Sequence, residues 1–277
     1  MVKPDFVSNQ KIRISPLIKW PGGKREILNK ILPFLPAISN RYFEPFLGGG
    51  ALFFAIQPER SVLSDLNEEL INLYVQVRDY PEELISIMSS FENSEKAYYK
   101  IRSSKFRTPL KRAARLLYLT TLSFNGIHRV NLSGEFNVPY GRKTHLLACD
   151  EEKIRSISQA LSSTELKVSD FETATRNATS GDLIYFDPPY TVAHSHNGFL
   201  KYNEKIFSWS DQIRLAGHAY ELYQRGCHVV VSNADHPSVR KLYRGFKCKV
   251  IERFSRIAAD SEHRKIITEA LFYQRGC

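Results

Sequence analysis

The sequence predicts an open α/β sheet whose alternation of strands and helices is interrupted by a helical insertion. Short apolar runs such as Leu183–Phe186 and Val229–Val231 are typical of buried strands. Glycine-rich or acidic segments follow several of these runs, and residues 71–150 show helical spacing instead. We therefore expect residues 1–70 and 151–277 to form one α/β domain, with residues 71–150 inserted into it.

Composition favours a globular, polyanion-binding protein. The chain has 277 residues, a net charge of +10 and a hydrophobic fraction of 43%. No apolar run reaches the ~20 residues of a membrane span, and the N-terminus lacks a signal peptide's apolar segment, so we expect a cytoplasmic protein. The four cysteines show no CxxC spacing, which favours free thiols over zinc or disulfides.

The first element follows a glycine turn. Pro21-Gly22-Gly23 precedes apolar residues with helical spacing, a helix that we expect to end near Pro33. The exposed N–H groups of such a turn, together with Lys24, suit a carboxylate or phosphate. A turn without a ligand explains the pattern equally well.

A second glycine turn joins a strand to a helix. A strand beginning at Tyr42 leads into Gly48-Gly49-Gly50 and then into a buried helix over Ala51–Phe54, a pattern typical of close approach by a ligand. The dinucleotide fingerprint G-x-G-x-x-G is excluded, because residue 53 is Phe. A strand over Ser61–Ser64 then ends in Asp65, which either binds a ribose hydroxyl or merely precedes a helix capped by Asn67.

The insertion is helical and basic. We expect one helix from Leu66 to Met88 and another that begins at Thr108-Pro109. The second helix directs Leu110, Ala114 and Leu117 inward and Lys111, Arg112 and Arg115 outward. Ten residues from Lys100 to Lys143 are basic and one, Glu135, is acidic. This bias indicates a polyanion partner, although a solvated helix face is the alternative.

A reading loop follows these helices. Phe124–Arg129 and Asn131–Gly141 contain turn residues around short β-like runs, so we expect a hairpin or compact loop. Its arginine, asparagine and aromatic side chains are those that contact and stack on bases.

Strands then resume towards the C-terminus. Leu166–Ser169 is a strand ending at Asp170-Phe171, Ser210 is expected to cap a helix to Arg225, and Lys249–Phe254 and Thr268–Tyr273 resemble two further strands. His194 and His196 lie without nearby ligands of other types, which favours a solvated loop over a metal site.

The stretch Asp187-Pro188-Pro189-Tyr190 follows the apolar strand Leu183–Phe186. Two prolines cannot continue a sheet, so the chain leaves the strand rigidly. Open α/β sheets bind ligands at the carboxyl ends of their strands. A planar amine could stack on Tyr190 while donating to Asp187 and to the Pro188 carbonyl; by itself, the stretch could also be a stiffened turn.

Together these motifs resemble the Dam family of DNA adenine-N6 methyltransferases, α-type and D12 class. The motifs that carry the resemblance are Lys19–Lys24, Glu44–Gly50, Asp65–Asn67, Phe124–Gly126, Asn131–Gly141, Asp187–Tyr190 and Phe199–Tyr202. The resemblance implies a Rossmann-like S-adenosylmethionine-dependent methyltransferase fold with a target-recognition insertion. It also implies S-adenosylmethionine as the methyl donor and a GATC-like site in double-stranded DNA as the substrate.

The resemblance assigns roles to individual residues. The catalytic residues are Asp187, Pro188 and Tyr190, and those holding the cofactor are Trp20, Lys24, Glu44, Phe46, Gly48, Gly50, Asp65, Asp170, Phe171 and Asp187. The DNA-binding residues are Lys19, Asn125, Ile127, Arg129 and Pro139, to which the basic insertion adds Arg112, Arg115 and Lys143. Ile127 replaces a leucine common in the family, and Lys143 replaces an aromatic residue of some relatives.

The implied reaction is direct methyl transfer to a flipped adenine, by a monomer that needs no metal. Two alternatives remain at this stage: an RNA or protein-amide N-methyltransferase, and a non-catalytic DNA-binding protein on the same scaffold. The sequence leaves open whether the enzyme acts alone or beside a restriction enzyme.

Overall fold

A seven-stranded sheet organises the protein, in a computed structural model that describes residues 14–38, 40–131, 133–192, 207–254 and 266–276. The strand order is β3-β2-β1-β4-β5-β7-β6. The strands are β1 (Tyr42–Glu44), β2 (Ser61–Asp65), β3 (Thr164–Val168), β4 (Leu183–Phe186), β5 (His228–Ala234), β6 (Lys247–Phe254) and β7 (Ile266–Gln274). The α/β prediction is confirmed.

The first five strands are parallel, and β7 runs antiparallel to both β5 and β6. The order along the sheet reverses between β1 and β4, which pair with Tyr42 opposite Leu183. Ligands of open α/β sheets bind at such a switch point, beyond the carboxyl ends of the strands. Glu44 ends β1 and Asp187 follows β4, so both lie at this edge.

Ten α-helices surround the sheet among the described residues. They are α1 (Leu28–Ile31), α2 (Ala51–Ile56), α3 (Glu68–Asp79), α4 (Pro81–Ser89), α5 (Glu95–Ser103), α6 (Pro109–Leu122), α7 (Glu151–Leu161), α8 (Phe171–Thr175), α9 (Trp209–Gln224) and α10 (Pro237–Leu242). Two 3₁₀ turns occupy Leu32–Phe34 and Phe124–Gly126. None of these helices is long and apolar enough to cross a membrane.

Two helix predictions were wrong in detail. The helix expected from Leu66 to Met88 is two helices, because Tyr80 has non-helical dihedrals and Pro81 starts α4. The cap of α9 is Ser208, two residues before the predicted Ser210. Ser208 and Asp211 form a reciprocal capping box that Ser210 does not offer.

The insertion predicted for 71–150 lies between β2 and β3 and contains α4, α5, α6 and the reading loop. Its expected first boundary, between residues 70 and 71, falls inside α3. The Thr108 side chain caps α6 by accepting from the Lys111 N–H, and Pro109 occupies its first turn, as predicted.

The core lies on both faces of the sheet, and β4 shows why its run is wholly apolar. Leu183 and Tyr185 pack into one apolar cluster, whereas Ile184 and Phe186 pack into the other. Side chains alternate across a strand, so a strand covered on both faces must be apolar throughout. This packing holds the start of the Asp187 corner rigid.

Candidate active site

Asp187 meets Lys24 where the chain leaves β4. Its Oδ1 lies 2.7 Å from the Lys24 Nζ, and the two side chains are 17% and 4% exposed. Lys24 also donates to the Gly22 carbonyl at 2.7 Å, within the first glycine turn. The structure therefore joins two motifs that lie far apart in sequence, and the lysine ammonium faces the carboxylate.

Burial raises the pKa of the Asp187 carboxyl to about 6, against the opposing effect of Lys24. Desolvation disfavours the charged form of a carboxylate, while a nearby cation favours it. The negative charge of Glu269 adds to the rise in this pKa, and the positive charge of Arg253 reduces it. Asp187 is thus mainly ionised at neutral pH and can accept hydrogen bonds.

The diproline corner is held by side chains from two other elements. Gln212, on α9, donates its amide to the Pro189 carbonyl at 3.1 Å. Asn233, on β5, in turn donates to the Gln212 side chain at 2.8 Å. Both amides are buried. This relay fixes one carbonyl of the corner. It could not be predicted from sequence, since an isolated Gln or Asn belongs to no motif.

The Tyr190 ring is held at its hydroxyl. Its O–H donates to Glu269 Oε2 at 2.8 Å. The Lys24 ammonium lies 4.9 Å from the ring centroid, a cation–π distance. Glu269 itself is 3% exposed and faces Arg253, with 2.5 Å between its Oε1 and the arginine Nε. Sequence reasoning missed Glu269 and Arg253, which lie in strands without a recognisable motif.

The glycine turn after β1 packs against Trp20. A Cβ on Gly48 would lie 2.9 Å from the Trp20 ring, and the φ of Gly48 is +48°, so only glycine fits without strain. The Gly48 N–H donates to Asp65 Oδ2 at 3.0 Å. Trp20, Gly48 and Asp65 therefore form one contiguous wall at the sheet edge.

Asp65 satisfies backbone groups on two sides. Besides Gly48, it accepts from the Asn67 N–H at 3.0 Å, and Asn67 caps α3 through the Leu70 N–H. Burial raises the pKa of Asp65 despite these bonds. Asp65 thus does precede a helix capped by Asn67, and its carboxylate is also fixed against the glycine turn.

Glu44 faces the protein interior. It is 3% exposed, and its Oε2 accepts from the Tyr42 hydroxyl at 2.8 Å and from the Phe53 N–H at 3.2 Å. Burial is the main cause that raises the pKa of Glu44 to about 8. The carboxyl joins β1 to the first turn of α2, so it shapes the glycine turn from behind.

Phe46 and Phe171 lie against each other at 5.7 Å between ring centroids. Phe171 is 2% exposed, and the Arg214 guanidinium covers its ring at 4.4 Å. Arg214 also pairs with Asp170 at 2.9 Å, and Asp170 caps α8. Arg214 is a further residue at this end of the site that sequence reasoning missed.

The reading loop is compact, as predicted. Isolated antiparallel bridges join Ser123 to Tyr140 and Val130 to Phe136. Asn125, at φ +54°, is exposed next to exposed Phe124, and the loop also exposes Ile127 and Pro139. Lys19 donates to the Asn125 carbonyl at 3.3 Å, so four of the five residues expected to touch bases lie together.

Arg129, the fifth, is exposed and donates to the Asn137 side chain at 2.8 Å within the loop. The Lys143 Nζ donates to the Thr121 carbonyl at 2.8 Å and is half-buried. His128 stacks on Trp20 with 4.4 Å between ring centroids. Since Trp20 also packs against Gly48, this contact places the reading loop next to the glycine turn after β1.

The outward direction predicted for Arg115 was wrong. Its guanidinium donates to the carbonyls of Ile101 and Arg102 at 3.1 and 2.6 Å. These carbonyls lie in the last turn of α5, where a helix leaves acceptors without intrahelical partners and favours a cation. Arg115 is half-buried as a result.

Arg112 is partly exposed but paired. It contacts Glu69 and, at 2.8 Å, Glu68 in the first turn of α3. The two acids lie at a helix N-terminus, where negative charge is favourable. The basic face predicted for α6 is therefore partly neutralised, because these acids precede the basic segment from Lys100 to Lys143 in sequence and pack against it in the fold.

Two motifs fall outside the described residues: the Phe199–Tyr202 stretch of the family resemblance, and His194 with His196.

Comparisons with known proteins agree with the motifs. A family model described as D12 class N6 adenine-specific DNA methyltransferase matches residues 20–257. The chain is 39% identical to the Type II methyltransferase M1.LlaDCHI of Lactococcus lactis subsp. cremoris, over 98% of this chain and 99% of that protein. It is 33% identical to the Type II methyltransferase M.MjaIII of Methanocaldococcus jannaschii, over 92% and 96%. It is 30% identical to the DNA adenine methylase of Escherichia coli strain K12, over 94% and 95%.

Proposed function

Because this chain belongs to the D12 class of N6 adenine-specific DNA methyltransferases, enzymes that methylate adenine in DNA, we propose that its substrate is an adenine flipped out of duplex DNA. The methyl donor in this proposal is S-adenosylmethionine, and the target is a GATC-like site. The observation that carries the proposal is the corner after β4, where Asp187 pairs with Lys24 at the switch point between β1 and β4.

The residues at this edge suit S-adenosylmethionine. Gly48 keeps the turn flat against Trp20, with no Cβ between them. The Asp65 carboxylate accepts from the N–H groups of Gly48 and Asn67, and its two oxygens offer about four lone pairs, enough for a ribose hydroxyl as well. Bound there, the cofactor would supply an electrophilic methyl group on a cationic sulfonium.

The cofactor contacts divide along the edge. We assign the methionine end to Trp20, Lys24 and the turn from Phe46 to Gly50, which Glu44 supports from behind. The adenine end falls to Asp170 and Phe171. Because Phe171 is 2% exposed, its ring contributes as the wall behind Phe46.

Asp187 prepares the nitrogen for reaction. The exocyclic amine of adenine is a weak nucleophile, since its lone pair is delocalised into the ring. Accepting one N6–H at Asp187 and the other at the Pro188 carbonyl favours a pyramidal nitrogen with a directed lone pair. Stacking on Tyr190 holds the base in place, an interaction of roughly 1–3 kcal/mol. Positioning supplies most of the acceleration.

Residues 71–150 recognise the target in this proposal. Lys19, Asn125, Ile127, Arg129 and Pro139 contact bases, and Lys143 supports the loop at its edge. Arg112 and Arg115 hold α3 and α5 through the contacts described above. Exposed cations nearby are free of those contacts and are better placed for phosphates; they are Lys105, Arg107 and Lys111.

We propose a monomer that acts in the cytoplasm. One observation supports a reducing compartment: Cys149, Cys227 and Cys248 are free thiols among the described residues.

Plasmid digestion tests activity and target together. Plasmid from cells expressing the wild-type chain is cut with one nuclease blocked by N6-methyladenine in GATC and with another that requires it. We expect resistance to the first, cleavage by the second, and neither effect with Asp187→Ala. Methylation at a different sequence would overturn the GATC assignment, and equal methylation by Asp187→Ala would overturn the catalytic one.

A further inference from the structure

Glu269 lies at the active edge although it belongs to the far part of the chain. It is in β7, opposite Ala234 at the carboxyl end of β5 and opposite Ile251 of β6. Since β5 is parallel to β4, that end of β5 lies on the same edge of the sheet as Asp187. The side chain is 3% exposed.

A buried carboxylate is costly unless charges and hydrogen-bond donors compensate it. Glu269 has three such neighbours: the Tyr190 hydroxyl at 2.8 Å, the Arg253 Nε at 2.5 Å and the Lys24 Nζ at 3.9 Å. Two of these neighbours, Tyr190 and Lys24, are already placed in the reacting site. Pairing with Arg253 alone does not account for the contacts of Glu269 with Tyr190 and Lys24.

The contact with Tyr190 controls the orientation of its ring. Pro188 and Pro189 each have a locked φ, which stiffens the chain that leads into Tyr190, and the Lys24 ammonium lies over the ring. The hydrogen bond from the phenol O–H to Glu269 restrains the far end of the ring. The Tyr190 side chain is thus held at both ends: its Cα follows the Pro188-Pro189 corner, and its hydroxyl is bonded to Glu269 on β7.

We propose that Glu269 is a positioning residue for methyl transfer, which fixes the Tyr190 ring as the platform for the flipped adenine. The Arg253 guanidinium holds the carboxylate in turn, so the last two strands contribute to a site whose motifs all lie before them. This inference rests on the base flipping proposed above.

Two variants remove the contact in different ways. Glu269→Gln removes the negative charge that faces Arg253 and Lys24, and an amide NH2 opposite Tyr190 can no longer accept from the phenol O–H. Tyr190→Phe keeps the ring and every charge but removes the hydroxyl. Glu252→Gln, an exposed position on β6, is the matched control. Single-turnover rates at saturating cofactor and DNA are measured together with Kd for both ligands, on purified full-length protein.

We expect both variants to lower the rate on matched duplex by about 5-fold or more, with an upper bound of roughly 160-fold, the effect of losing a base–aromatic contact of ~3 kcal/mol completely. The Kd values should change by less than about 3-fold, because the ground-state contacts remain. On DNA whose target adenine faces an abasic site, flipping costs less. The deficit should shrink there, whereas general damage to the fold would slow both substrates equally. The Glu252→Gln control should match the wild type.

A wild-type rate for Tyr190→Phe on matched duplex would overturn the inference, as would an equal loss on both substrates. Tyr190→Phe decides the question alone should Glu269→Gln fail to fold, which thermal unfolding reports. Wild-type protein is assayed in the same series: its failure to methylate any duplex refutes the proposed function, whereas methylation by the wild type together with wild-type rates for both variants refutes only the role of Glu269.

Discussion

Replacing Lys24 by Met should shift the pH dependence of methyl transfer to higher pH. Asp187 must be ionised to accept the N6–H, and the pKa of its carboxyl is about 6. Wild-type activity should therefore fall as the pH drops through about 6. Lys24 lowers this pKa by its charge and its hydrogen bond, so its removal raises the pKa and narrows the active range from the acid side.

The magnitude follows from the 2.7 Å between the two charged groups. At this distance the attraction is roughly 1.5 kcal/mol in water and roughly 6 kcal/mol at an effective dielectric constant of 20. Opposite charges this close usually move a carboxyl pKa by about 1–3 units. We therefore expect the midpoint for Lys24→Met at about pH 7–9. At pH 7 a carboxyl of pKa about 8 is only about one-tenth ionised, so the rate falls about tenfold.

The assay is single-turnover transfer of a tritiated methyl group at saturating cofactor and DNA, from pH 5 to 9.5. Saturation separates the charge effect from any loss of cofactor affinity. Lys167→Met is the control, since Lys167 pairs with Glu165 at the same 2.7 Å but on an exposed edge strand. Its midpoint should stay at about 6. If the Lys24→Met midpoint also stays at about 6, with a loss that alkaline pH does not restore, the reasoning is refuted.

Three further predictions concern specificity and stability. Arg129→Ala should relax sequence choice at one base pair by ~1–3 kcal/mol, measured as the ratio of rates on single-substituted sites. Lys111→Ala should weaken binding to all DNA equally and flatten its salt dependence, measured by titration at several salt concentrations; equal specificity profiles for these two variants would contradict both assignments. Glu44→Gln should alter the pH dependence of folding. Because the folded pKa of Glu44 is about 8 and its ordinary value is 4.5, the folded state binds the proton more tightly, and stability is lost as pH rises from about 5 to 8. Between pH 6.5 and 8 the wild type should lose about 1–2 kcal/mol that the variant keeps, measured by urea unfolding; parallel pH curves would count against a raised pKa.

Much of the fold was readable from local sequence. The apolar runs at Leu183–Phe186 and Val229–Val231 indicated strands because a strand covered on both faces has no polar side. Thr108-Pro109 indicated the start of α6 for an equally local reason. The break at Pro81 was predictable too. Apolar periodicity continues across this position and suggested one long helix, but a proline inside a helix clashes with the preceding turn, and this clash prevails.

Positions fixed by partners distant in sequence were not readable. Arg115 has the spacing of an outward residue on α6, yet its side chain turns to the end of α5. The last carbonyls of α5 have no intrahelical partners, so they accept hydrogen bonds from the guanidinium. Arg112 is neutralised by acids of α3 for a similar reason. A count of basic residues along the chain treats every side chain as exposed to solvent. Only the packing of the helices shows which of these side chains are exposed and which are paired within the protein.

The sequence by itself determined the sheet, the glycine turns and the Asp187 corner, since each depends on residues adjacent in the chain. Only the tertiary structure decided how the corner is held: Lys24 against Asp187, and Glu269 against Tyr190. A buried charge has no local signature, because what compensates it is whichever donor the fold brings within hydrogen-bonding distance.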